Sequence, residues 1–457
     1  MANLGTFIYG TQGDDQRIGT YLGAEYFIAD AGSDTYDGAS PIIGGPFGHD
    51  RSAYDVISYI NSPGGVHIDL QAGIGKDGWG GTDTLINISY VWGSMFDDVL
   101  IGDDQKNWIS GLRGNDTIDG GPDSDFGYVV AYMDDPAGVM VDLTEGIGID
   151  GWGGRDTIRN MTSIHGSDYN DVLIGNDNGN DFWGRAGADT FDGRGGFDTA
   201  RYWDSGRLLD PANAATAGGR TGVLVDLAGG YALDEWGARD TLISIEWVDL
   251  GSGNDTVVGD DQNNIIFVRG GVDWIDGAGG VDRVSYLRHE GGATSASHSI
   301  SKSGPESFTV ANSMGTETLL GVERLQFSDG TMALSPYDAA GQALRLYVAA
   351  LDRAPDAPGL DFHVNRLDNG VSLKDVASGF TNSPEFESKY GALSSPAFVD
   401  LLYQNVLDRG ADSAGLAYHV SRLEAGISRE DVLIGFSESP ENITNTASLT
   451  DAGIWFV

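Results

Sequence analysis

Carboxylate side chains recur every nine residues through much of this 457-residue chain. In the segment Gly93–Tyr128, four nine-residue blocks follow one another without a gap, and the third block, Gly111–Asp119, reads GLRGNDTID. This block fits the pattern G-G-x-G-x-D-x-U-x, in which U is a large apolar residue, except for Leu112 at the second glycine. A carboxylate repeated at the sixth position of a glycine-rich turn is an oxygen ligand suited to a hard cation such as Ca²⁺.

The nine-residue blocks form three arrays of four. Equivalent arrays occupy Gly166–Arg201 and Leu250–Ser285, and the sixth position is Asp or Asn in all twelve blocks. Looser blocks at Gly10–Ile18, Ala29–Asp37 and Gly45–Ala53 carry Asp at the same position. The candidate metal ligands are therefore the sixth-position side chains, Asp15, Asp34, Asp50, Asp98, Asn107, Asp116, Asp125, Asp171, Asn180, Asp189, Asp198, Asp255, Asn264, Asp273 and Asp282.

Two blocks are expected to complete one turn of a parallel β-roll, because each contains a glycine-rich turn and a short strand with one inward side chain. Residues 18 apart then stack, and the predicted pairs are Asp98 over Asp116, Asn107 over Asp125, Asp171 over Asp189, Asn180 over Asp198, Asp255 over Asp273 and Asn264 over Asp282. Stacked carboxylates repel one another without a cation. The Asn in each second block predicts a weaker or differently coordinated site. The alternative is a metal-free solenoid in which Asp and Gly serve only as turn residues.

A longer unit precedes each array. It reads GGVHIDLQAGIGKDGWGGTDTLINISYVW from Gly64 and recurs from Ala137 and Thr221. The first two copies contain a nonapeptide-like piece with Asp83 or Asp156 at its sixth position. These two residues lie only 15 positions before the next array Asp, out of the 18-residue register, so we do not expect them among the main ligands. The Trp repeated in all three units favours a packed ladder between coils over a sugar-stacking stripe: Trp79, Trp152 and Trp236.

The charge balance narrows the functional classes. The chain has 68 acidic and 26 basic residues, a net charge of −42, so a compact fold needs a counter-ion to avoid self-repulsion. This charge opposes nucleic-acid binding, which requires a basic surface.

The chain has no cysteine, which excludes disulfides and thiolate metal sites. We expect no membrane span, since no apolar run is long enough, and no Sec signal peptide, since the N-terminus lacks its basic and apolar regions.

The arrays resemble the hemolysin-type calcium-binding (RTX) repeats of proteins exported by type I secretion systems. The resemblance covers roughly residues 5–290. It implies a β-roll that binds multiple Ca²⁺ ions, is unfolded in the low-calcium cytosol and folds after export. It also implies a location outside the cell or on its surface.

From Tyr337 onward the glycine content falls and helical periodicity appears. Leu346–Phe386 matches Leu402–Asn442 at an offset of 56, and Ser372 and Ser428 are predicted helix N-caps. This region is similar to DUF4214 domains, which commonly end RTX and surface-layer-like bacterial proteins. We expect Arg–Asp braces in the two turns and a buried, hydrogen-bonded histidine in each copy: Arg353 with Asp356, Arg409 with Asp412, His363 and His419.

The predicted fold class is mainly β with a C-terminal α domain. A parallel β-roll is expected over residues 1–290, a degenerate capping segment over 291–336, a helical DUF4214-like domain over 337–447 and a tail over 448–457. The tail, TDAGIWFV, resembles uncleaved type I secretion signals. A compatible alternative is that its apolar residues dock on the helical domain.

No catalytic motif stands out. The sequence has no H-E-x-x-H or G-x-S-x-G, which disfavours a zinc protease and a lipase. Repeats fill the chain apart from the insertions, so no separate catalytic domain is visible. We therefore expect a non-catalytic extracellular calcium-binding protein, a component of a surface layer or matrix or an adhesin, whose partners are cell-surface polysaccharide or further copies of itself. The alternative is a secreted polysaccharide-acting enzyme or glycan-binding module with RTX repeats.

Overall fold

The structure is a computed structural model that describes residues 6–19, 25–38, 55–122, 128–203, 222–287, 293–450 and 452–457. The predicted ligands Asp50 and Asp125 lie outside the described residues. The chain divides into two compact units, Met1–Trp274 and Ile275–Val457. Short strands dominate the first unit, and the second combines strands with helices. This arrangement confirms the predicted fold class, mainly β with a C-terminal α region.

The strands up to the end of the second long unit are β1 (Thr6–Ile8), β2 (Gln16–Ile18), β3 (Glu25–Ile28), β4 (Thr35–Asp37), β5 (Val56–Ser58), β6 (His67–Asp69), β7 (Ile74–Lys76), β8 (Thr82–Ile86), β9 (Tyr90–Trp92), β10 (Val99–Ile101), β11 (Trp108–Ser110), β12 (Thr117–Asp119), β13 (Val129–Ala131), β14 (Met140–Asp142), β15 (Ile147–Ile149) and β16 (Arg155–Arg159). The next strands are β17 (Ser163–His165), β18 (Val172–Ile174), β19 (Asp181–Trp183), β20 (Thr190–Asp192), β21 (Thr199–Arg201), β22 (Leu224–Asp226), β23 (Tyr231–Leu233), β24 (Arg239–Ile243), β25 (Trp247–Asp249), β26 (Thr256–Val258), β27 (Ile265–Phe267), β28 (Trp274–Asp276) and β29 (Arg283–Ser285).

The rest of the second unit contains a 3₁₀ turn at Ser295–Ser297 and the strands β30 (Ser299–Lys302), β31 (Ser307–Ala311), β32 (Thr316–Leu320), β33 (Arg324–Phe327), β34 (Gly330–Ala333) and β35 (Ile454–Phe456). Its helices are α1 (Ala339–Leu351), α2 (Ala357–Asp368), α3 (Leu373–Thr381), α4 (Pro384–Tyr390), α5 (Ser395–Leu407), α6 (Ser413–Glu424), α7 (Arg429–Ser437), α8 (Pro440–Asn445) and α9 (Ala447–Thr450).

Sheet 1 of the first unit takes one strand from each coil, and all its strands are parallel. Its order is β1-β3-β5-β9-β11-β13-β17-β19-β21-β25-β27. Val91 lies opposite Ile109, and Ile164 lies opposite Phe182. Both pairs are 18 residues apart, which confirms the predicted stacking. In the three-residue strands after β1, the middle side chain points inward because side chains alternate along a strand, and these middle residues are buried. The middle residue of β1, Phe7, is 53% exposed.

Sheet 2 of the first unit interrupts this regular pattern. Its order is β2-β4-β8-β7-β6-β10-β12-β16-β15-β14-β18-β20-β24-β23-β22-β26. Each long unit forms a three-stranded antiparallel meander that folds back along the sheet: β6–β7–β8, β14–β15–β16 and β22–β23–β24. The last strand of each meander therefore pairs in parallel with the sheet 2 strand that precedes the meander, as β16 does with β12.

The second unit is held by two small sheets and two apolar clusters. β33 pairs with β29, β34 and the tail strand β35 follow antiparallel, and β30–β31–β32 form a meander. Ile454 and Phe456 of the tail share a cluster with α1 and α2, so the tail docks as the compatible alternative expected. Ser372 and Ser428 cap α3 and α7, as predicted from the sequence.

Two expectations about the helical repeats are wrong for the first copy. Arg353 pairs with Glu385, with its Nε 2.6 Å from Oε1, while Asp356 caps α2 by accepting from the backbone N–H of Gly359 at 2.8 Å. The expected Arg–Asp brace is absent there because the guanidinium of Arg353 pairs with Glu385 instead. In the second copy Arg409 lies 4.0 Å from Asp412, as expected. His363 is half-buried and stacks on Phe380 at 4.6 Å between ring centres, but its Nδ1 has no hydrogen-bond partner in the described residues.

Candidate metal centre

Sixth-position aspartates of successive coils are linked directly through the backbone. The N–H of Asp98 donates to Oδ1 of Asp116 at 2.8 Å. The same bond joins Asp171 to Asp189 at 2.9 Å and Asp255 to Asp273 at 2.9 Å. We call this row of hydrogen-bonded carboxylates on the sheet 2 side the aspartate ladder. Its bonds bring together three of the pairs that the sequence predicted.

The second carboxylate oxygen of several ladder residues has no partner. Oδ2 of Asp116, Asp189 and Asp255 is buried and accepts no hydrogen bond from any described residue. An added Cβ at Gly111 would lie 2.2 Å from Oδ2 of Asp116, and one at Gly184 would lie 2.1 Å from Oδ2 of Asp189. The glycines therefore leave the space in which these oxygens sit. Buried oxygens without a donor, grouped with backbone carbonyls, fit a hard cation such as Ca²⁺.

Burial also disfavours the charged form of these carboxylates. Burial and, to a smaller extent, the neighbouring carboxylates Asp156 and Asp240 raise the pKa of Asp116 to about 8 and that of Asp189 to about 9. Burial raises the pKa of Asp98 and of Asp171 only to about 6. The rise is smaller because hydrogen bonds from backbone N–H groups and from Ser side chains stabilise the charged form. A bound cation would offset the free-energy cost of burying the charged carboxylates, because it attracts them.

The turns on the sheet 1 side differ from the aspartate ladder in charge, because some of their sixth-position residues are neutral Asn. Oδ1 of Asn107 accepts from the N–H of Asp103 at 2.7 Å, and Oδ1 of Asn180 accepts from the N–H of Asn176 at 2.7 Å, so each amide closes its own turn. The N–H of Asn180 also donates to Oδ1 of Asp198 at 2.7 Å, as the stacking predicted. Oδ2 of Asp198 has no partner in the described residues. The Asn264–Asp282 pair remains a prediction.

Three acidic residues of the long units extend the ladder. The N–H of Asp34 donates to Asp83 at 2.8 Å, that of Asp116 to Asp156 at 2.9 Å, and that of Asp189 to Asp240 at 3.0 Å. The expectation that Asp83 and Asp156 lie out of register is wrong, because the backward meander absorbs the extra residues. The sequence feature that marks Asp83 and Asp156 as ladder residues is the nonapeptide-like pattern G-x-G-G-x-D-T, which occurs in the first two long units.

The first coil already contains a cation. Arg17 takes the slot where other blocks have a large apolar residue, and only 6% of it is exposed. Its guanidinium lies 2.9 Å from Asp15 and 2.8 Å from Asp30, and it donates to the hydroxyl of Tyr36 at 2.6 Å. The N–H of Asp15 donates to Oδ1 of Asp34 at 2.7 Å, so these two candidate ligands lie together, but beside an arginine.

The arginine lies among oxygens that could themselves hold a metal. Asp15, Asp30 and Asp34 form the one group in the described residues in which three acidic or histidine ligand atoms lie within 4.8 Å of one another. An added Cβ at Gly10 would fall 1.1 Å from the guanidinium, so glycine is required there. The calcium ligation predicted for Asp15 and Asp34 therefore competes with an internal ion pair.

The repeated tryptophans are not all packed. Trp79 is 37% exposed and Trp236 is 42% exposed, so the expected packed ladder is wrong for these two residues. Each lies in a turn of a meander. The backbone N–H of the tryptophan donates to the aspartate two residues before it, Asp77 or Asp234, at 3.0 Å. The carboxylate fixes the turn while the indole remains at the surface.

Sequence models of two families match this chain. The model of the RTX calcium-binding nonapeptide repeat matches residues 92–126, 165–200 and 249–284, which are the three arrays. The chain carries RTX calcium-binding repeats. The model of DUF4214, a domain of unknown function, matches residues 343–388 and 377–446 in the helical region. Both matches confirm the resemblances drawn from the sequence.

The comparison with solved structures gives a distant match. The extracellular lipase LipA from Serratia marcescens is similar with 15% identity and a TM-score of 0.18, over 51% of this chain and 37% of that chain. The chain thus spans little more than a third of that lipase. No curated protein sequence matches the chain. In the described part of the chain, no helix has the length and apolarity needed to cross a membrane.

Proposed function

We propose that this chain is an extracellular calcium-binding structural protein whose β-roll folds when Ca²⁺ occupies the turns. RTX repeats are typical of secreted calcium-binding proteins. The observation that carries the proposal is the set of buried, unpartnered oxygens on Asp116, Asp189, Asp198 and Asp255. A chain with a net charge of −42 gains stability from any cation that these oxygens bind.

The ladder prepares each carboxylate for a metal. One oxygen is held by the backbone N–H of the previous coil, which fixes the side chain, and the other is left for a ligand. Asp98 with Asp116, Asp171 with Asp189 and Asp255 with Asp273 would hold ions together with carbonyl oxygens of the turns. When bound, Ca²⁺ supplies the positive charge that the arrays lack. Asp50 and Asp125 complete the proposed ligand set outside the described residues.

The cellular role proposed is that of a surface-layer, matrix or adhesin component exported by type I secretion. The support is the combination of RTX repeats with a DUF4214 region and a high acidic charge. A chain with many carboxylates that bind Ca²⁺ outside the cell is suited to attach to cell-surface polysaccharide or to further copies of itself. Washing intact cells with a chelator should release the protein into the medium, and retention after complete calcium removal would contradict a calcium-dependent surface role.

A glycan-binding role is a second candidate, favoured by the exposed indoles of Trp79 and Trp236. Aromatic rings held on rigid turns offer flat apolar surfaces to sugar rings. Polysaccharide pull-down should then weaken in a W79A/W236A double variant and remain unchanged in a variant of a buried-turn residue distant from both. Equal binding by the double variant would remove this candidate.

Calcium titration tests the main proposal. Adding Ca²⁺ to metal-free protein should raise the β-sheet signal in circular dichroism cooperatively, with a midpoint around 10⁻⁴ to 10⁻³ M as in other extracellular modules. Magnesium at the same concentration serves as the control, because it demands a smaller octahedral cage. An unchanged spectrum up to about 10 mM Ca²⁺ would contradict the proposal.

A further inference from the structure

Three polar side chains lie on the outer face of sheet 1, at the ends of neighbouring strands. His165 ends β17, Trp183 ends β19 and Arg201 ends β21, and the first two lie opposite each other in the sheet. All three point away from the core, because side chains alternate along a strand and the middle residues of these strands point inward. They are nevertheless buried, and His165 is only 1% exposed.

These three side chains line one pocket of the first unit. The other charged and tryptophan side chains of its lining are Arg185, Trp203, Glu235, Trp236 and Asp240. The pocket contains about 380 Å³ of space outside the protein atoms, part of it open to solvent. Sites for small molecules typically have about 300–1,000 Å³, so the space suits one small ligand.

Several buried polar atoms of the pocket have no protein partner. Nδ1 and Nε2 of His165, Nε1 of Trp183 and Nε of Arg201 make no hydrogen bond within the part of the chain that the structure describes. Burial and, to a smaller extent, the charge of Arg185 lower the pKa of His165 far below its ordinary value, so the ring is neutral. A neutral imidazole offers one donor and one acceptor, whereas the indole and guanidinium nitrogens only donate. Leaving such groups unsatisfied is costly, so they indicate a ligand that carries oxygen atoms.

Both arginines of the pocket already have carboxylate partners. Arg201 lies 2.6 Å from Asp181, and Arg185 lies 2.8 Å from Asp168. Asp240 adds a further carboxylate to the lining. A negatively charged ligand would compete with the existing ion pairs and meet this carboxylate, so the charges favour an uncharged ligand.

Trp236 offers a flat apolar surface beside the polar groups. The ring of Trp183 has the guanidinium of Arg201 over it at 4.5 Å, and the ring of Trp203 has that of Arg269 at 3.9 Å. Each of these two rings is therefore covered on one face by a cation, and neither is as exposed as Trp236. The pocket thus combines an exposed aromatic ring with buried donors and an acceptor.

The preceding repeat lacks this set of side chains. The positions equivalent to the outer-face residues, to Arg185 and to Trp203 carry aromatic, aliphatic or small side chains there: Trp92, Ser110, Leu112, Ala131 and Met133. The same strands and turns form in both repeats. The polar set is therefore not required to build the roll.

We propose that this pocket binds one uncharged pyranose ring, the terminal sugar of a neutral glycan. The apolar face of the sugar stacks on Trp236. Its oxygen atoms accept from the indole of Trp183 and the guanidinium of Arg201, and a hydroxyl group pairs with His165. The inference rests on the glycan-binding candidate and deepens it, because it gives Trp236 a role that Trp79 does not share.

Titration with single sugars tests the pocket. Ligand-observed NMR on the full chain in Ca²⁺ should detect at least one of the methyl pyranosides of glucose, galactose, mannose and N-acetylglucosamine. W183F should weaken that binding about threefold to tenfold, because one hydrogen bond is lost. The matched control is W108F, since Trp108 has the same buried, unpartnered indole nitrogen and packs on His165 at 5.0 Å between ring centres, but does not line the pocket.

Each contrary result has a separate meaning. Equal weakening in W183F and W108F would overturn the site, and stronger binding of methyl glucuronide than of every neutral sugar would overturn the uncharged class. Wild-type protein that folds with Ca²⁺ and binds none of the probes would overturn this inference alone. Wild-type protein that does not respond to Ca²⁺ but binds a neutral sugar would contradict the main proposal and support the pocket.

A measurement on the wild-type chain covers variants that fold poorly. Hydroxyl-radical footprinting with mass spectrometry compares Trp236 with Trp79, which is also exposed but lies outside the pocket. The bound methyl pyranoside should protect Trp236 from oxidation and leave Trp79 unchanged. Equal oxidation of Trp236 with and without the sugar would overturn the pocket. Polysaccharide binding that persists in that case would retain the glycan-binding candidate.

Discussion

The β-roll and the helical region are both acidic but compensate their negative charge differently. In the helical region, carboxylates meet internal partners: Glu385 lies 2.6 Å from Arg353, Asp431 lies 2.7 Å from Lys374, and Glu438 pairs with the buried Arg345. In the roll, ladder carboxylates meet backbone N–H groups and leave oxygens unpartnered. The helical region therefore carries its own counter-charges, whereas the roll depends on ions from outside.

The first coil shows the transition between these two solutions. Its architecture is that of the roll, yet Arg17 supplies the positive charge from within. The comparison indicates that the fold of a coil does not require calcium as such. It requires a cation at the turn, which a buried guanidinium can provide when a glycine such as Gly10 leaves room.

The largest expected effect is the loss of the roll on calcium removal. With excess chelator, amide hydrogens of the array strands should exchange rapidly, while those of helices between residues 339 and 450 stay protected. The reason is that the helical region pairs its charges internally. Hydrogen exchange with mass spectrometry resolves the two regions in one sample. Loss of protection in both regions at the same calcium concentration would contradict the comparison.

Replacing Arg17 should be the most damaging single substitution in the first coil. R17L restores the apolar slot but leaves the partly buried group of Asp15, Asp30 and Asp34 without its cation. It should therefore lower the free energy of unfolding by more than the loss of an exposed ion pair does. The control is R194L, because Arg194 is half-exposed and its pair with Asp192 at 3.4 Å is worth about 0–1 kcal/mol. Denaturant unfolding at fixed calcium compares the two variants.

High calcium should partly rescue R17L, since the vacated oxygens lie within 4.8 Å of one another. Rescue by Ca²⁺ but not by Mg²⁺ would show that arginine and calcium are interchangeable at this turn. Equal destabilisation in R17L and R194L would contradict the role assigned to Arg17.

A single ladder substitution should have a smaller effect. D189N keeps the bond from the N–H of Asp171 but removes one charged ligand, so calcium affinity of the roll should fall about tenfold, or about 1.4 kcal/mol per site. D177N removes an exposed carboxylate that is not part of the ladder and should leave the affinity unchanged. Isothermal titration with Ca²⁺ distinguishes them, and identical curves would contradict ligation by Asp189.

The smallest expected effect is a pH dependence of the helical region. Burial lowers the pKa of His363 to about 4, below its unfolded value of about 6.5. The folded state thus favours neutral histidine, so its contribution to stability is present above pH 6.5 and is lost as the pH falls towards 4. Helix melting at pH 7 and pH 4.5 should differ less in H363F than in the wild type. An equal pH dependence would exclude His363 as the cause.

The sequence predicted the parts of the roll that obey its nine-residue period. Stacking at 18 residues and the inward slots follow directly, because a repeated turn and strand can close in only one register. The ladder positions of Asp83 and Asp156 do not follow from this period, since the antiparallel meander between them and the array does not have it. Only their nonapeptide-like sequence marks them.

Arg17 was missed for a different reason. It occupies a position that the pattern reserves for an apolar side chain, and only the folded coil shows that its charge turns inward to Asp15 and Asp30. The exposure of Trp79 was also hidden, because a repeated large aromatic residue is equally compatible with a core and a surface. The sequence pattern alone does not fix which face of a turn a side chain takes.

The ladder also bears on how the roll assembles in time. Its hydrogen bonds join residues that are 18 positions apart within an array and at most 51 apart across a long unit. Such short loops are closed quickly, and each coil needs only its immediate neighbours. Folding can therefore start in any module and spread in both directions, and a damaged rung halts that spread locally while the coils beyond it still form.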